Sequence, residues 1–246
     1  MKVLFVIGTR PEAIKLAPVI LECQKKKGIQ ALVCSTGQHK ELLDSAFEQW
    51  NLIPDIELDV MQAGQGLNEL LSKLLSQLDI VLSDAKPDCV VVQGDTSSCL
   101  AGALASFQRK IPVYHVEAGL RTNDKSAPYP EELNRQLVSR IAHVHFAPTE
   151  KNKRALLREG ISDNDIVVTG NTVIDSLLKI SSSAEYPEIK NLNWEKKKII
   201  LVTVHRRENW GKNLDEITFA IKDLAQKRED RSFLIPMHKN RIVRDK

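Results

Sequence analysis

Short apolar runs alternate with longer amphipathic segments along most of the chain. The runs are rich in β-branched residues, as in KVLFVIG at residues 2–8 and DCVVV at 88–92, which is typical of strands buried on both faces of a parallel sheet. Between the runs, apolar residues recur at helical spacing, most clearly over residues 67–85. This repeated strand–loop–helix order predicts an α/β protein with a doubly wound parallel sheet.

The pattern over the first 170 residues predicts one domain with a doubly wound parallel sheet. We expect strands at 2–8, 31–36, 88–92, 113–116, 144–147 and 166–168, with an extended piece at 56–60. We expect helices at 9–27, 40–50, 67–85, 98–110, 130–142 and 149–160. Thr9, Pro11 and Glu12 give the first of these helices a favourable first turn.

A polar stretch at about 181–198 interrupts this pattern and is typical of a linker. We therefore predict domains at 1–170 and 171–246. The second domain contains a predicted strand at 199–205, a helix at 214–227 capped by Asn213, and a strand at 232–236. Two strands cannot cover their own apolar faces, so we expect exposed apolar residues in this domain: Leu201, Val204, Phe233 and Ile235.

Composition excludes several classes of protein. The 35 lysine and arginine residues against 32 acidic residues leave a net charge of +3, which is too small an excess to indicate a nucleic-acid partner. No apolar run is long enough to span a bilayer, and VLFVIG is too short for a signal segment. The four cysteines form neither a C-x-x-C pair nor a metal-ligand cluster. We expect a cytoplasmic protein without a metal site or a membrane partner.

Ligands of doubly wound sheets bind at the carboxyl ends of the strands, and candidate residues follow four of the predicted strands there. They lie in the segments 8–15, 37–39, 94–97 and 117–121. The first of these, within GTRPEAIKLAP, places a glycine at a helix N-terminus together with Arg10 and Lys15, which favours an anionic ligand. The segment matches neither the dinucleotide nor the P-loop pattern. A plain helix cap with surface cations is the alternative.

Carboxylates follow two further strands. Asp95 lies in QGDT, Glu117 directly follows the strand at 113–116, and Glu131 begins the helix after it. Carboxylates held near strand ends, with Arg121 beside them, suit acid/base chemistry. The alternatives are a helix-capping aspartate and an acidic first turn that interacts with the helix dipole.

Two histidines mark the strand ends of the second domain. His205 opens HRREN and is followed by Arg206, so this segment could donate protons or hold phosphate. His238 in PMHKN repeats the pattern. A lone histidine is more often structural, but paired arginines at the ligand end of a sheet favour a binding role.

Eight motifs, in their order and spacing, resemble the non-hydrolysing UDP-N-acetylglucosamine 2-epimerases of bacteria and archaea from Met1 to about His238. They are GTRPEAIKLAP, TGQH, VQGDT, VEAGLRT, YPEELNR, FAPTE, VTGNTVID and HRREN. The resemblance implies a GT-B-like fold of two Rossmann-like domains. It implies interconversion of UDP-N-acetylglucosamine and UDP-N-acetylmannosamine without NAD, metal or other cofactor, by elimination of UDP to a 2-acetamidoglucal and re-addition.

The resemblance also implies roles for individual residues. Glu117 would abstract the C2 proton, and Glu131 and Asp95 would either serve the opposite face or orient the substrate. His205 would lie near the diphosphate. The residues implied to bind substrate are Arg10, Lys15, Arg206 and His238. Gln38 and His39 match a motif that helps to form an allosteric site for UDP-N-acetylglucosamine in bacterial members.

Members of this family continue well beyond position 246 and usually form homodimers. We therefore expect the second Rossmann-like domain to be incomplete here. The alternative to an active epimerase is a truncated, weakly active or inactive fragment that binds a complementary C-terminal half. A related GT-B glycosyltransferase is a third, weaker hypothesis, which the specific motifs above disfavour.

Overall fold

The structure, a computed structural model, describes residues 1–37, 40–62, 64–183, 189, 192, 194–204 and 211–236. The chain divides into two compact units, Met1–Ala184 and Glu185–Lys246. None of the helices in the described ranges combines the length and the apolar character that crossing a bilayer requires.

The first unit is built on a sheet of seven strands. All neighbouring strands are parallel, in the order β3-β2-β1-β4-β5-β6-β7. The chain builds one half of the sheet outward from β1 and then returns to place β4 on the other side of β1, so the topological switch point lies between β1 and β4. The strands are β1 (Lys2–Ile7), β2 (Gln30–Ser35), β3 (Ile56–Glu57), β4 (Cys89–Gln93), β5 (Val113–Val116), β6 (Val144–Ala147) and β7 (Ile166–Val168).

In the described part of the first unit, six helices and one 3₁₀ turn at Asp163–Asp165 connect these strands, and a seventh helix follows β7. The helices are α1 (Arg10–Lys25), α2 (Lys40–Gln49), α3 (Leu67–Ala85), α4 (Ser97–Gln108), α5 (Glu131–Ile141), α6 (Glu150–Arg158) and α7 (Val173–Ser183). Thr9 is the N-cap of α1 and Thr149 that of α6, as their sequences predict.

Two apolar layers hold the helices on the sheet. Alternate residues of β1 point to opposite faces: Leu4 and Val6 pack in a cluster with α3 and α4, whereas Phe5 packs in a cluster with α1 and α2. Each of these side chains is fully buried, which stabilises the fold by about 1.5–3 kcal/mol per residue. Burial on both faces explains why the strands of this sheet are continuous apolar runs.

Helix α7 is the one helix of the first unit that the sequence pattern did not predict. Ile180 packs against the same cluster as α1, and the Ser176 hydroxyl donates a hydrogen bond to the carbonyl of Ile14. These contacts keep α7 within the first unit, whereas a boundary at 170 would separate it from the helix on which it packs. The helix was not predicted because its serine-rich end is continuous with the polar stretch that follows.

The second unit contains β8 (Lys198–Leu201), α8 (Lys212–Lys227) and β9 (Arg231–Leu234), and the two strands pair in parallel. Gly211, rather than the predicted Asn213, precedes the first residue of α8, so the prediction of Asn213 as a cap was wrong. Of the residues expected to be exposed, Leu201 is 63% and Ile235 40% exposed. Val204 and Phe233 are half-buried.

Candidate active site

The site lies where β1, β4 and β5 end at the switch point. The loop Gly8-Thr9 follows β1, the loop Gly94-Asp95-Thr96 follows β4, and Glu117 follows β5. Because these strands are neighbouring and parallel, their carboxyl ends meet at one edge of the sheet. The segments that the sequence analysis singled out after β1, β4 and β5 are therefore brought together.

Glu117 is the most constrained residue of this edge. Its φ angle of +64° places a residue other than glycine in the left-handed region, where a side chain costs about 1 kcal/mol or more. Lys15 Nζ lies 2.6 Å from Oε2, and Gln93 Nε2 also donates to Oε2. Asn171 Nδ2 donates to Oε1 at 2.8 Å. Both oxygens of the carboxylate are therefore held by groups from three other elements.

Asp95 is tied to helix α5. Its Oδ2 lies 2.6 Å from Arg135 Nη2, and its backbone carbonyl accepts a hydrogen bond of 2.9 Å from Asn134 Nδ2. Burial raises the pKa of Asp95, and the charges of Glu131 and Glu117 raise it further, while Arg135 and Lys15 oppose the shift. Asp95 therefore lies close enough to Glu117 and to Glu131 for their charges to act on it.

Glu131 and Glu132, the first two residues of α5, have different roles. Glu131 Oε2 is buried and has no hydrogen-bond partner among the described residues. Glu132 is fully buried and accepts hydrogen bonds from the backbone of Thr122 and Asn123 at 3.0 and 3.1 Å. Glu132 therefore fixes the preceding loop. Glu131 keeps an oxygen available for a proton or a ligand, since leaving such an oxygen unpaired costs free energy.

The cation beside Glu117 is Lys15 rather than Arg121. The Arg121 guanidinium forms a bidentate pair with Glu159, with N–O distances of 2.6 and 2.8 Å, and also donates to the Ser139 hydroxyl. Its side chain is 5% exposed. Arg121 therefore joins α5 to α6 and serves the fold.

Helices α1 and α4 begin close together at the switch point, and Glu12 joins them. Its carboxylate accepts hydrogen bonds from the backbone of Gly8 and Thr9 and from the Thr96 hydroxyl, at 3.0, 2.6 and 2.7 Å. Gly8 permits the approach, since a Cβ atom there would lie 2.1 Å from Ser98 Oγ. Burial raises the pKa of Glu12 to about 7, although these hydrogen bonds oppose the shift.

Of the residues predicted to bind the substrate, Arg10 is exposed in the first turn of α1 and Lys15 is half-buried. Four residues of the site were not predicted as site residues, although all lie within the motifs quoted above: Glu12, Gln93, Arg135 and Asn171. Their partners come from distant segments, which no local pattern reveals. Five predicted residues lie outside the described residues: Gln38, His39, His205, Arg206 and His238.

A family model and curated relatives with high sequence identity indicate one family. The family model described as UDP-N-acetylglucosamine 2-epimerase matches residues 21–246. The UDP-N-acetylglucosamine 2-epimerase of Escherichia coli K12 is 46% identical, with 100% of this chain and 67% of the relative covered. The chain thus spans about two thirds of the length of this curated relative.

Solved structures agree with the sequence comparison. The UDP-GlcNAc 2-epimerase of Neisseria meningitidis, solved with UDP-GlcNAc, superposes with a TM-score of 0.91 at 46% identity, covering 100% of this chain and 68% of that one. The S. aureus MnaA structure with UDP gives a TM-score of 0.88 at 42% identity, covering 99% and 64%. These neighbours confirm the α/β, GT-B-like fold class with an incomplete second Rossmann-like domain. The chain belongs to the UDP-N-acetylglucosamine 2-epimerase family.

Proposed function

We propose that the protein interconverts UDP-N-acetylglucosamine and UDP-N-acetylmannosamine in two steps. Removal of the C2 proton and elimination of UDP give a 2-acetamidoglucal, and UDP is then added back to C1 while a proton is delivered to the opposite face of C2. The observation that carries this proposal is the cluster of Asp95, Glu117 and Glu131 at the switch point, in a chain of this family. The C2 proton of the sugar is a poor acid. The reaction therefore needs carboxylates that stabilise positive charge on the ring and take the proton.

In this proposal Glu117 is the base that takes the C2 proton. Its carboxylate accepts three hydrogen bonds, two of them on Oε2, so departure of one of those two donors would leave Oε2 more accessible to the proton. Lys15 is suited to leave, because a departing diphosphate offers its ammonium group a stronger partner. Movement of Lys15 from Glu117 to the diphosphate would free the base at the moment when UDP departs.

Asp95 and Glu131 serve the opposite face of the sugar. The raised pKa of Asp95 lets this residue hold a proton at higher pH than an ordinary aspartate, as a proton donor for re-addition requires. The unpaired Oε2 of Glu131 can accept the proton or a sugar hydroxyl. Arg10 binds the diphosphate, and the substrate-binding roles that the resemblance implies for His205, Arg206 and His238 belong to the same proposal.

Proton NMR of UDP-N-acetylglucosamine in D₂O with the purified chain tests this proposal. We expect UDP-N-acetylmannosamine to form with deuterium at C2, since the abstracted proton exchanges with solvent. The Glu117→Gln variant should lower the rate about a hundredfold or more, whereas Glu22→Gln, on the exposed surface of α1, should not change it. Conversion without deuterium at C2 would exclude the elimination route.

The assembly and location of the protein belong to the same proposal. We infer a homodimer from the resemblance to the family. We also infer that the second unit binds further C-terminal β/α chain, because Phe219 and Leu201 are 72% and 63% exposed there. Light scattering would establish the dimer. Four free cysteines support a reducing, cytoplasmic location.

A further inference from the structure

Glu12 is a fully buried titratable group for which the proposed mechanism has no use. Its side chain is 1% exposed, and Oε2 accepts the Gly8 and Thr9 amides and the Thr9 hydroxyl, while Oε1 accepts the Thr96 hydroxyl at 2.7 Å. Within the described part of the chain no lysine or arginine pairs with it. A buried carboxylate held only by neutral donors is costly, so a compensating role is expected.

The two oxygens of Glu12 contact different loops of the site. Oε2 holds the Gly8-Thr9 segment, which leads directly into Arg10, and Oε1 holds Thr96, which directly follows Asp95. Thr96 is also the N-cap of α4, where its hydroxyl accepts the Cys99 amide at 3.0 Å. The first turns of α1 and α4 are thereby joined through one carboxyl group.

We propose that Glu12 is a positioning residue whose carboxyl group clamps the β1–α1 loop to the β4–α4 loop and so sets the spacing between Arg10 and Asp95. The proposal rests on the proposed function, in which Arg10 binds the diphosphate and Asp95 serves the sugar. Both groups must reach one substrate, and errors of about 1 Å in such positions can cost about a hundredfold in rate.

The hydrogen bond between Glu12 and Thr96 survives protonation but reverses direction. A protonated Oε1 donates to the Thr96 hydroxyl, which has a free lone pair, while the two amides stay on Oε2. Other titratable groups near the clamp are Asp95 and Cys99 on the β4–α4 side and Arg10 and Lys15 on its own helix. The Thr96 hydroxyl contacts both Glu12 and the Cys99 amide, so Cys99 lies beside the clamp. Burial raises the pKa of the Cys99 thiol, and the charges of Glu12 and Asp95 raise it further.

Glu12→Gln removes the negative charge of the clamp, and Thr96→Val removes its hydrogen bond, so the two variants distinguish these effects. In Glu12→Gln the amide oxygen can accept the Gly8 and Thr9 amides while the NH₂ group donates to Thr96, so this variant mimics the protonated state. Thr96→Val removes the hydroxyl and cuts the clamp, and Thr96→Ser restores it. Thr149→Val is the matched control, because Thr149 caps α6 with the same kind of bond, to the Asn152 amide, away from Glu12.

The steady-state test compares kcat and KM for UDP-N-acetylglucosamine. We expect Thr96→Val to lower kcat/KM about tenfold or more, and Thr96→Ser, Glu12→Gln and Thr149→Val to stay within about threefold of the parent. Equal losses of kcat/KM in Thr96→Val and Thr149→Val would show that Thr96 acts only as a helix cap, and this result would contradict the proposed clamp. A rate in Glu12→Gln as low as in Thr96→Val would overturn a purely geometric role.

A pH titration of backbone amides tests the clamp without turnover. The Gly8, Thr9 and Cys99 amide resonances should shift together with one midpoint near pH 7, the pKa of Glu12, because the Thr96 hydroxyl carries the change to Cys99. The Glu12→Gln variant should abolish all three shifts, and Thr96→Val only that of Cys99. Gly8 and Thr9 shifts without a Cys99 shift in the parent would overturn the clamp. A chain that titrates as expected but lacks turnover would contradict only the proposed function.

Discussion

The position of the Glu117 carboxylate is set by three side chains that donate hydrogen bonds to it. Gln93 and Asn171 reach it from the end of β4 and from the loop after β7, and Lys15 from α1. These donors fix the rotamer of the carboxylate and prevent it from turning toward other cations. The reactivity of the site is therefore distributed over segments more than 150 residues apart in sequence, from Lys15 to Asn171.

Replacing Asn171 by alanine should lower kcat with little effect on stability. The change removes the only donor to Oε1 that the described residues provide and lets the carboxylate rotate. We expect a loss of about tenfold in kcat and a change of about 1 kcal/mol in the free energy of unfolding. Asn164→Ala, at an exposed position in the 3₁₀ turn, is the control. Equal rates in both variants would contradict a role for Asn171.

The stability of the protein should carry a signature of Glu12. Its pKa is raised from 4.5 to about 7 on folding, so the folded state binds the proton more tightly. The contribution is fully present below pH 4.5 and is lost as the pH rises to 7. Urea unfolding of the parent and of Glu12→Gln should show the parent losing up to about 3 kcal/mol relative to the variant between pH 4.5 and 8.

The buried side chain of His115 changes the free energy of unfolding with pH in the opposite direction to Glu12. The effect of Glu12 must therefore be measured as the difference between the parent and Glu12→Gln. Burial lowers the pKa of His115 from 6.5 to about 3, so its contribution is present above pH 6.5 and is lost as the pH falls toward 3. His115 is the same in both proteins and cancels in the difference. Parallel stability curves for parent and variant would show that Glu12 is not buried as described.

At the scale of elements, the approach of β1 to α4 is as important as the side chains of the site. A Cβ atom at Gly8 would lie 2.1 Å from Oγ and 2.5 Å from Cβ of Ser98, and 2.9 Å from Oγ1 of Thr36. Thr36 and Ser98 are themselves joined by a hydrogen bond of 2.8 Å. The ends of β1 and β2 and the start of α4 therefore form one dense contact.

Gly8→Ala should destabilise the protein by about 2 kcal/mol, because the added methyl group overpacks this contact. Thermal unfolding measures the effect. Gly66→Ala is the matched control, since a Cβ atom there would meet no atom within 4 Å, and it should shift stability by less than about 1 kcal/mol. Adding Ser98→Gly to Gly8→Ala removes the two closest atoms, Oγ and Cβ of Ser98, and should recover part of the loss. Equal effects of the two glycine substitutions would contradict the contact.

Most elements could be predicted from the sequence because their signals are local. The strands at β5, β6 and β7 and helix α3 have the predicted bounds, since each is a compact apolar run or a clear helical repeat closed by polar residues. Helix α7 was missed because its serine-rich end leads into a polar stretch, so the sequence gives no clear signal for where a helix would end. The cap at Asn213 was wrong because α8 begins earlier, after Gly211.

The site was predictable only in part, for a related reason. Strand ends could be located, so the segments carrying Asp95 and Glu117 could be expected at one edge of the sheet. The partners of those carboxylates depend on register and on helix placement: Arg135 for Asp95, and Asn171 for Glu117. Arg121, a cation beside Glu117 in sequence, lies in a different ion pair. Proximity in sequence therefore gave a misleading partner.

At the scale of the whole molecule, the two units differ in how much core each one has. The first unit has a seven-stranded sheet covered on both faces. In the described part of the second unit, Leu214 is the only apolar side chain that is buried, while Phe219 and Leu224 are 72% and 51% exposed. The apolar surface buried by the described part of the second unit is too small to offset the conformational entropy of that part.

We therefore expect residues 1–184 to fold alone and residues 185–246 to remain unfolded alone. Circular dichroism should show a cooperative melt for the first fragment, within about 5 °C of the full chain, and no cooperative melt for the second. Adding the C-terminal third of the Escherichia coli relative to the full chain should raise the melting temperature of the second unit. A cooperative melt of 185–246 by itself would contradict the expected division of stability.

The left-handed backbone at Glu117 sets stability and activity against each other. Glycine and asparagine occupy such a φ angle with less strain than glutamate does, so a stability screen would enrich them at this position. Variants selected in that way would become more robust while losing the carboxylate. An effort to stabilise this protein should therefore keep position 117 fixed, because here the residue that folds best and the residue that reacts are different amino acids.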